Sequence, residues 1–224
     1  MNSHNTTNKQ LYVEQVSLLY HNAPLAYAFT LINGSILVFL QRAYIPTGVL
    51  IAWFTCLILV TVSRIGLIYL FTHSQVTAEN VNYWGRAYLI GVGLAGILWG
   101  STAVFLFPVE SMGHQVFIAF VLAGMSAGGV AVLSPRLEAC VVFLLPTLLP
   151  LAIRFLIQDN NELPLAMGIM TLIFLGVMFS TARTMHQSML ISLNLRFDKR
   201  ELLAEIANFA LNRKIQNDQK IKAS

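Results

Sequence analysis

Charge is scarce in this chain of 224 residues. Asp, Glu, Lys and Arg together make up 11% of it, against 56% hydrophobic residues. A soluble domain carries about a quarter charged residues, so the composition excludes an ordinary water-facing globule and is that of an integral membrane protein. Cysteine is nearly absent. Cys56 and Cys140 both stand inside apolar runs, which argues against a disulfide and leaves them as small hydrophobes. The N-terminal MNSHNTTNKQ carries no basic region ahead of an apolar one. No cleavable signal peptide is expected, and the first hydrophobic helix would itself direct insertion. The histidines, His4, His21, His73, His114 and His186, are scattered with no carboxylate or Cys at ligand spacing, so no metal or other cofactor is implied.

The net charge of +4 is unevenly placed. Seven of the fourteen basic residues fall between Arg196 and Lys222, where Asp198, Glu201, Glu205 and Asp218 partly offset them. That is a solvated helix near an anionic leaflet, and it excludes a nucleic-acid patch.

What fills the rest is apolar. A spanning helix needs roughly 20 mostly apolar residues, and the sequence offers six such runs, near 24–40, 47–71, 87–107, 115–133, 137–157 and 164–182. Short connections rich in Pro, Asn, Asp and Gly separate them, as turn chemistry requires. The predicted fold is an all-α polytopic membrane bundle in three parts. Residues 1–23 form an N-terminal cytoplasmic segment, in which LYVEQVSLLYHN is too short to cross and suits a helix lying in the interface. Residues 24–182 form the six-helix bundle. Residues 183–224 continue the last span, with no Gly or Pro after Gly176, as a charged amphipathic stalk. Basic residues favour the side that holds both termini, so the positive-inside rule places the termini in the cytoplasm.

Within the bundle, GVGLAGILWG contains a literal GxGxxG. A dinucleotide fingerprint needs a preceding strand and a helix N-terminus at the phosphates, and here the glycines lie inside a span. Gly96 and Gly100 instead form a GxxxG face, and Gly124 and Gly128 form a second one in the fourth span. Small residues let helix backbones approach closely in lipid, so spans three and four are expected to pack through them, with a dimer face or a ligand cleft as the alternatives. The GMSAGG run imitates an intramembrane serine protease element. However, His186 falls about ten residues deeper than Ser126, roughly 15 Å at helical rise, out of reach of a catalytic base. No enzyme activity is expected of these residues. Pro146 and Pro150 each remove a backbone hydrogen bond from the fifth span. With Trp99 and Ser126 they are candidates for a hinge or a cavity wall. In the stalk, a heptad reading places Leu195, Leu202 and Phe209 at one seam position and Met185 and Ile206 at the other, the second interrupted by Ser192, Lys199 and Arg213.

Four runs carry a family resemblance: WGRAYLIGVGLAGILWGSTAVFLFP, HQVFIAFVLAGMSAGGVAVLSP, FLLPTLLPLAIRFL, and MGIMTLIFLGVMFSTARTMHQSMLISLNLRFDKRELLAEI. Together they resemble the N-terminal membrane region of bacterial sensor histidine kinases, often hybrid ones, and diguanylate cyclases. The resemblance covers about residues 15–206. It implies a six-span input module in the bacterial inner membrane, dimeric through its stalk, whose last helix drives a cytoplasmic output domain. The phosphoacceptor-histidine, ATP-binding and GGDEF-type segments of that family are not in this sequence, so their activity does not carry over. The expected partners are membrane lipids, a second copy, and an output domain or separate partner protein. A small transporter or channel subunit, or a scaffold that recruits a partner through the stalk, are the alternatives.

Overall fold

The computed structural model describes the backbone of residues 2–75, 77, 80–158 and 162–222. Side chains are described for 11–75, 77, 80–158 and 162–196, and for Lys199, Leu202, Leu203 and Ile206. Every regular element among the described residues is helical: α1 (Asn2–Gln41), α2 (Thr47–Thr72), α3 (Val81–Gly100), α4 (Thr102–Phe105), α5 (Met112–Leu133), α6 (Leu137–Leu156) and α7 (Glu162–Lys222). Six stretches are long and apolar enough to cross a membrane: Leu11–Gln41, Thr47–Thr72, Val81–Phe105, Met112–Leu133, Leu137–Leu156 and Glu162–Arg196. The all-α polytopic bundle read from the sequence is the fold observed. One compact unit comprises Met1–His186 and a second Gln187–Ser224.

The first helix differs from its sequence reading. Residues 11–23 do not form a separate interfacial helix. They run on through Pro24, without a break, into the first span. One face is buried all the way: Val16, Leu19, Tyr20, Ala23, Tyr27, Thr30, Gly34, Leu37 and Gln41 recur at spacings of three and four. The N-terminal part of this face packs at one end of the bundle. There the Tyr20 ring stacks on Phe71 at 3.8 Å and meets Trp84 and Tyr88 edge-on, and its hydroxyl donates to the Trp84 carbonyl at 3.0 Å. At the same end Arg136 donates to the Tyr12 hydroxyl at 2.9 Å and pairs with Glu138 at 3.2 Å.

The most extensive helix pair is α3 with α6. A Cβ on Gly93 would touch Val142, and one on Gly96 would lie 2.9 Å from both the Phe143 carbonyl and the Pro146 ring. A Cβ on Gly100 would overlap the Pro146 carbonyl oxygen. So Gly96 and Gly100 do form a packing face, but its partner is the fifth span and not the fourth. Gly124 and Gly128 of α5 meet nothing within 4 Å. The chemistry of the pair explains the choice. Pro150 has no N–H, so the Pro146 carbonyl one turn earlier loses its helical donor, and that freed oxygen turns onto Gly100, where only a Cα–H lies in its way. Thr147 seals the seam by donating to the Phe143 carbonyl at 2.7 Å and the Gly96 carbonyl at 3.3 Å.

In the second unit, α7 continues through Gln187–Lys222, with Leu195, Leu202 and Ile206 exposed. The side chain of Phe209 lies outside the described residues.

Gly100→Ala should lower the stability of the detergent-solubilised chain by about 1–3 kcal/mol, because backbone faces backbone and neither yields. Gly124→Ala and Gly128→Ala should be neutral or stabilising by up to about 1 kcal/mol, from helix propensity alone. Thermal or denaturant unfolding followed by circular dichroism reads both.

Candidate functional site

A cavity of about 460 Å³ lies among α1, α2, α3, α5 and α6. That is within the range of about 300–1,000 Å³ typical of small-molecule sites. Successive spans run in opposite directions, which orders its walls by depth. Toward the end that holds Tyr12 and Arg136 stand Leu25 of α1, Arg64 of α2, Val92 of α3 and Leu133 of α5. Toward the opposite end stand Asn33, Trp99 and Met125. Phe143 of α6 closes the back, its ring against Gly129, where a Cβ would be 2.6 Å away. The front is open. Leu25, Phe29, Gly124, Gly128 and Ala131 are all exposed, so the cavity opens sideways between α1 and α5 at the level of the apolar belt.

Small residues make this space. Gly124 and Gly128 face it with no side chain, and Ala26, Ala95 and Ala131 keep the walls thin. Its polar groups are few. Thr30 donates to the Ala26 carbonyl at 2.9 Å, so its hydroxyl serves its own helix. Asn33 Nδ2 lies 3.2 Å from Met125 Sδ and ties α1 to α5 at the far end.

Arg64 is the one cation on the wall. It stands eight residues before Thr72, the last residue of α2, roughly 12 Å along the helix from that end. Its stem crosses Gly91, where a Cβ would come within 3.1 Å of Cγ. Its guanidinium carbon sits 4.6 Å from the centre of the Tyr27 ring and 5.9 Å from that of Tyr88. Tyr27 and Tyr88 are both buried, and the Tyr88 hydroxyl has no hydrogen-bond partner among the described residues. No carboxylate pairs with Arg64 among the described residues. The sequence explains why: no Asp or Glu occurs in 15–78, 80–109, 111–137 or 139–158, so the five helices around the cavity carry no acid at its depth.

The GxGxxG therefore has a structural account glycine by glycine. Gly91 admits the Arg64 stem, Gly93 admits Val142, and Gly96 admits the α6 backbone. Among the other sequence candidates, Trp99 lines the cavity and donors from α2 support its helix: Trp53 Nε1 donates to the Leu98 carbonyl at 3.1 Å and to Ser101 Oγ at 3.2 Å. Ser126 is fully buried, its hydroxyl without a partner among the described residues, and it is not on the cavity wall. Pro146 and Pro150 lie in the α3–α6 seam behind Phe143 and not in the cavity. His186 donates from Nδ1 to the Ser134 carbonyl at 2.9 Å, away from Ser126. Tyr27 and Asn33 were not candidates on sequence grounds, and for Arg64 a side chain reaching the interface was favoured over one lining a polar pocket. The available signal was a lone basic residue inside a span, which also fits a side chain that reaches the interface.

These features define a class: a multi-pass α-helical membrane bundle with a laterally open, largely apolar cavity that holds one cation. No protein-family model, curated protein or solved structure matches the chain.

Gly124→Leu and Gly128→Leu should fill the cavity from its open side and abolish binding of an apolar fluorescent probe, with the melting temperature kept. Gly129→Leu, which collides with Phe143, should instead lower the melting temperature. Probe titration and thermal melts on the same preparations separate the two effects.

Proposed function

We propose that this chain is a membrane-embedded sensory module, in which an occupant of the cavity changes how α6 holds α7, and α7 carries that change to a cytoplasmic output. The observation that carries the reading is the double role of α6. Through Phe143 it forms the back wall of the cavity, and through Val141 and Leu156 it faces α7.

The way α7 is held favours a moving part. Among the described residues it forms no extensive pair with any other helix. A cleft of about 530 Å³ lies between it and α6, lined by Leu137, Val141, Gly176, Phe179, Ser180 and Arg183. It touches the bundle at Gly168 against Leu156, at buried Leu175 and Ala182, and at the His186 bond to the α5–α6 turn. A signal acts by selecting between two seats of similar energy, and a helix held at only a few points has the fewest contacts to exchange in moving between them. Within the first unit α7 runs unbroken from Glu162, so a rotation or slide where it is seated moves that whole segment. The family resemblance of the sequence supports the same reading, with an output domain of kinase or cyclase type beyond these residues and the termini on the cytoplasmic side of a bacterial inner membrane.

The test is a fusion of the full chain to a reporter kinase domain after Ser224. Phe143→Ala, and separately the pair Pro146→Ala with Pro150→Ala, should shift basal output about fivefold or more, the scale of a coupling of about 1 kcal/mol. Leu172→Ala, on the exposed face of α7, should leave it unchanged. Unaltered output from both the Phe143 and the proline variants would remove the reading.

A further inference from the structure

We propose that the cavity binds a single-chain fatty acid as its carboxylate, with the head on Arg64 and the chain running toward Trp99 and Asn33. This names the ligand class of the proposed input site and rests on that reading.

Three observations converge. The first is charge. Arg64 is a cation inside a span, turned between two buried tyrosine rings, with no carboxylate pairing it among the described residues and none in the sequence at its depth. Uncompensated charge in a membrane is costly, and cation–π contact with Tyr27 offsets only part of that cost. An anion entering the cavity supplies the missing partner, and an Arg–carboxylate pair is among the strongest hydrogen-bonded contacts available there.

The second is shape. Away from Arg64 the walls are Phe29, Val92, Trp99, Phe143 and glycines, which offer an acyl chain apolar contact and offer a sugar or nucleotide almost no hydrogen bonds. The long direction is set by the helices: Arg64 faces Gly91, and Trp99 lies eight residues farther along α3, roughly 12 Å.

The third is access. The opening faces the bilayer and not the water, so the ligand arrives as a solute of the membrane. Depth then selects the head. Arg64 sits roughly 12 Å inside the end of α2. A two-chain phospholipid would have to drag its hydrated headgroup down to that level, whereas a carboxylate is the smallest anionic head an acyl chain carries.

The experiment uses the full chain in nanodiscs of zwitterionic lipid and follows tryptophan fluorescence. The probes are a stearate brominated in mid-chain, the corresponding brominated stearyl alcohol, and a lysophosphatidic acid with the same brominated chain. The stearate should quench saturably, and Trp99→Phe should reduce the saturable part, with the remainder coming from Trp53, whose ring lies 5.6 Å from that of Trp99. The alcohol should bind at least about tenfold more weakly on the unaltered chain, the loss expected for a charged hydrogen bond. Arg64→Leu should bring the stearate down to the level of the alcohol, and Arg64→Lys should keep most of its affinity. Equal binding of acid and alcohol on the unaltered chain, or no saturable quenching, would overturn the proposal without reliance on any variant folding. Tighter binding of the lysophosphatidic acid than of stearate would overturn the choice of carboxylate. Failure here is distinct from failure of the sensory reading. Stearate that binds but leaves the fused reporter silent removes the sensory role and keeps the ligand. A reporter that answers to the Phe143 and proline changes, with no stearate binding, does the reverse.

Discussion

The contact on which the rest of the bundle depends is the carbonyl of Pro146 lying on the bare backbone of Gly100. Lipid gives helices little hydrophobic reason to associate, so close approach and dispersion must hold them. Here the approach is as close as two helices allow, because Pro150 releases a carbonyl and Gly100 leaves room for it. The seam fixes α6 in rotation as well as in distance. With the Phe143 backbone and the Pro146 ring set against Gly96, the Phe143 ring lies on Gly129, behind the cavity. The wall of the site is thus a consequence of the seam.

The two glycine pairs of the sequence do opposite things. Gly96 and Gly100 bring backbones together, while Gly124 and Gly128 keep side chains out of the cavity. Both uses rest on the absence of a Cβ, and spacing alone does not distinguish them. The partner does. Where a facing helix offers a freed carbonyl and a flat proline ring, the pair is filled. Where the facing helix is α1, which offers Thr30 and Asn33 at a distance, it stays open.

Much of the fold was legible because each span is a long apolar run and, Arg64 aside, charge lies toward the ends. The six crossings follow from that alone. Three things were not legible. The continuity of α1 was hidden by Pro24 and by the low hydropathy of the residues before it, although its buried positions keep a spacing of three and four throughout. The partner of the Gly96 face was hidden because helix order around a bundle is a tertiary property, which a local motif does not encode. Arg64 was visible as a charge in a span, but whether such a side chain reaches outward or turns inward depends on its neighbours, here Gly91 and Tyr27 on two other helices.

The distribution of packing quality gives the bundle a direction. Its tightest pair, α3 with α6, is backbone on backbone, and its loosest member is α7, separated from α6 by a cleft and held at a few points. An occupant that pressed on Phe143 would act on a helix braced against α3 from Val142 to Pro150. A close-packed seam of that kind would pass the load to whatever on the other faces of α6 is free to move. The free neighbour is α7, and the bond from His186 to the Ser134 carbonyl ties it at the turn where α5 and α6 meet. A rigid wall beside a cavity and a loosely seated helix behind that wall are the two parts the proposed relay would use. In this chain one helix, α6, supplies the contact between them, and the glycine–proline seam supplies its stiffness.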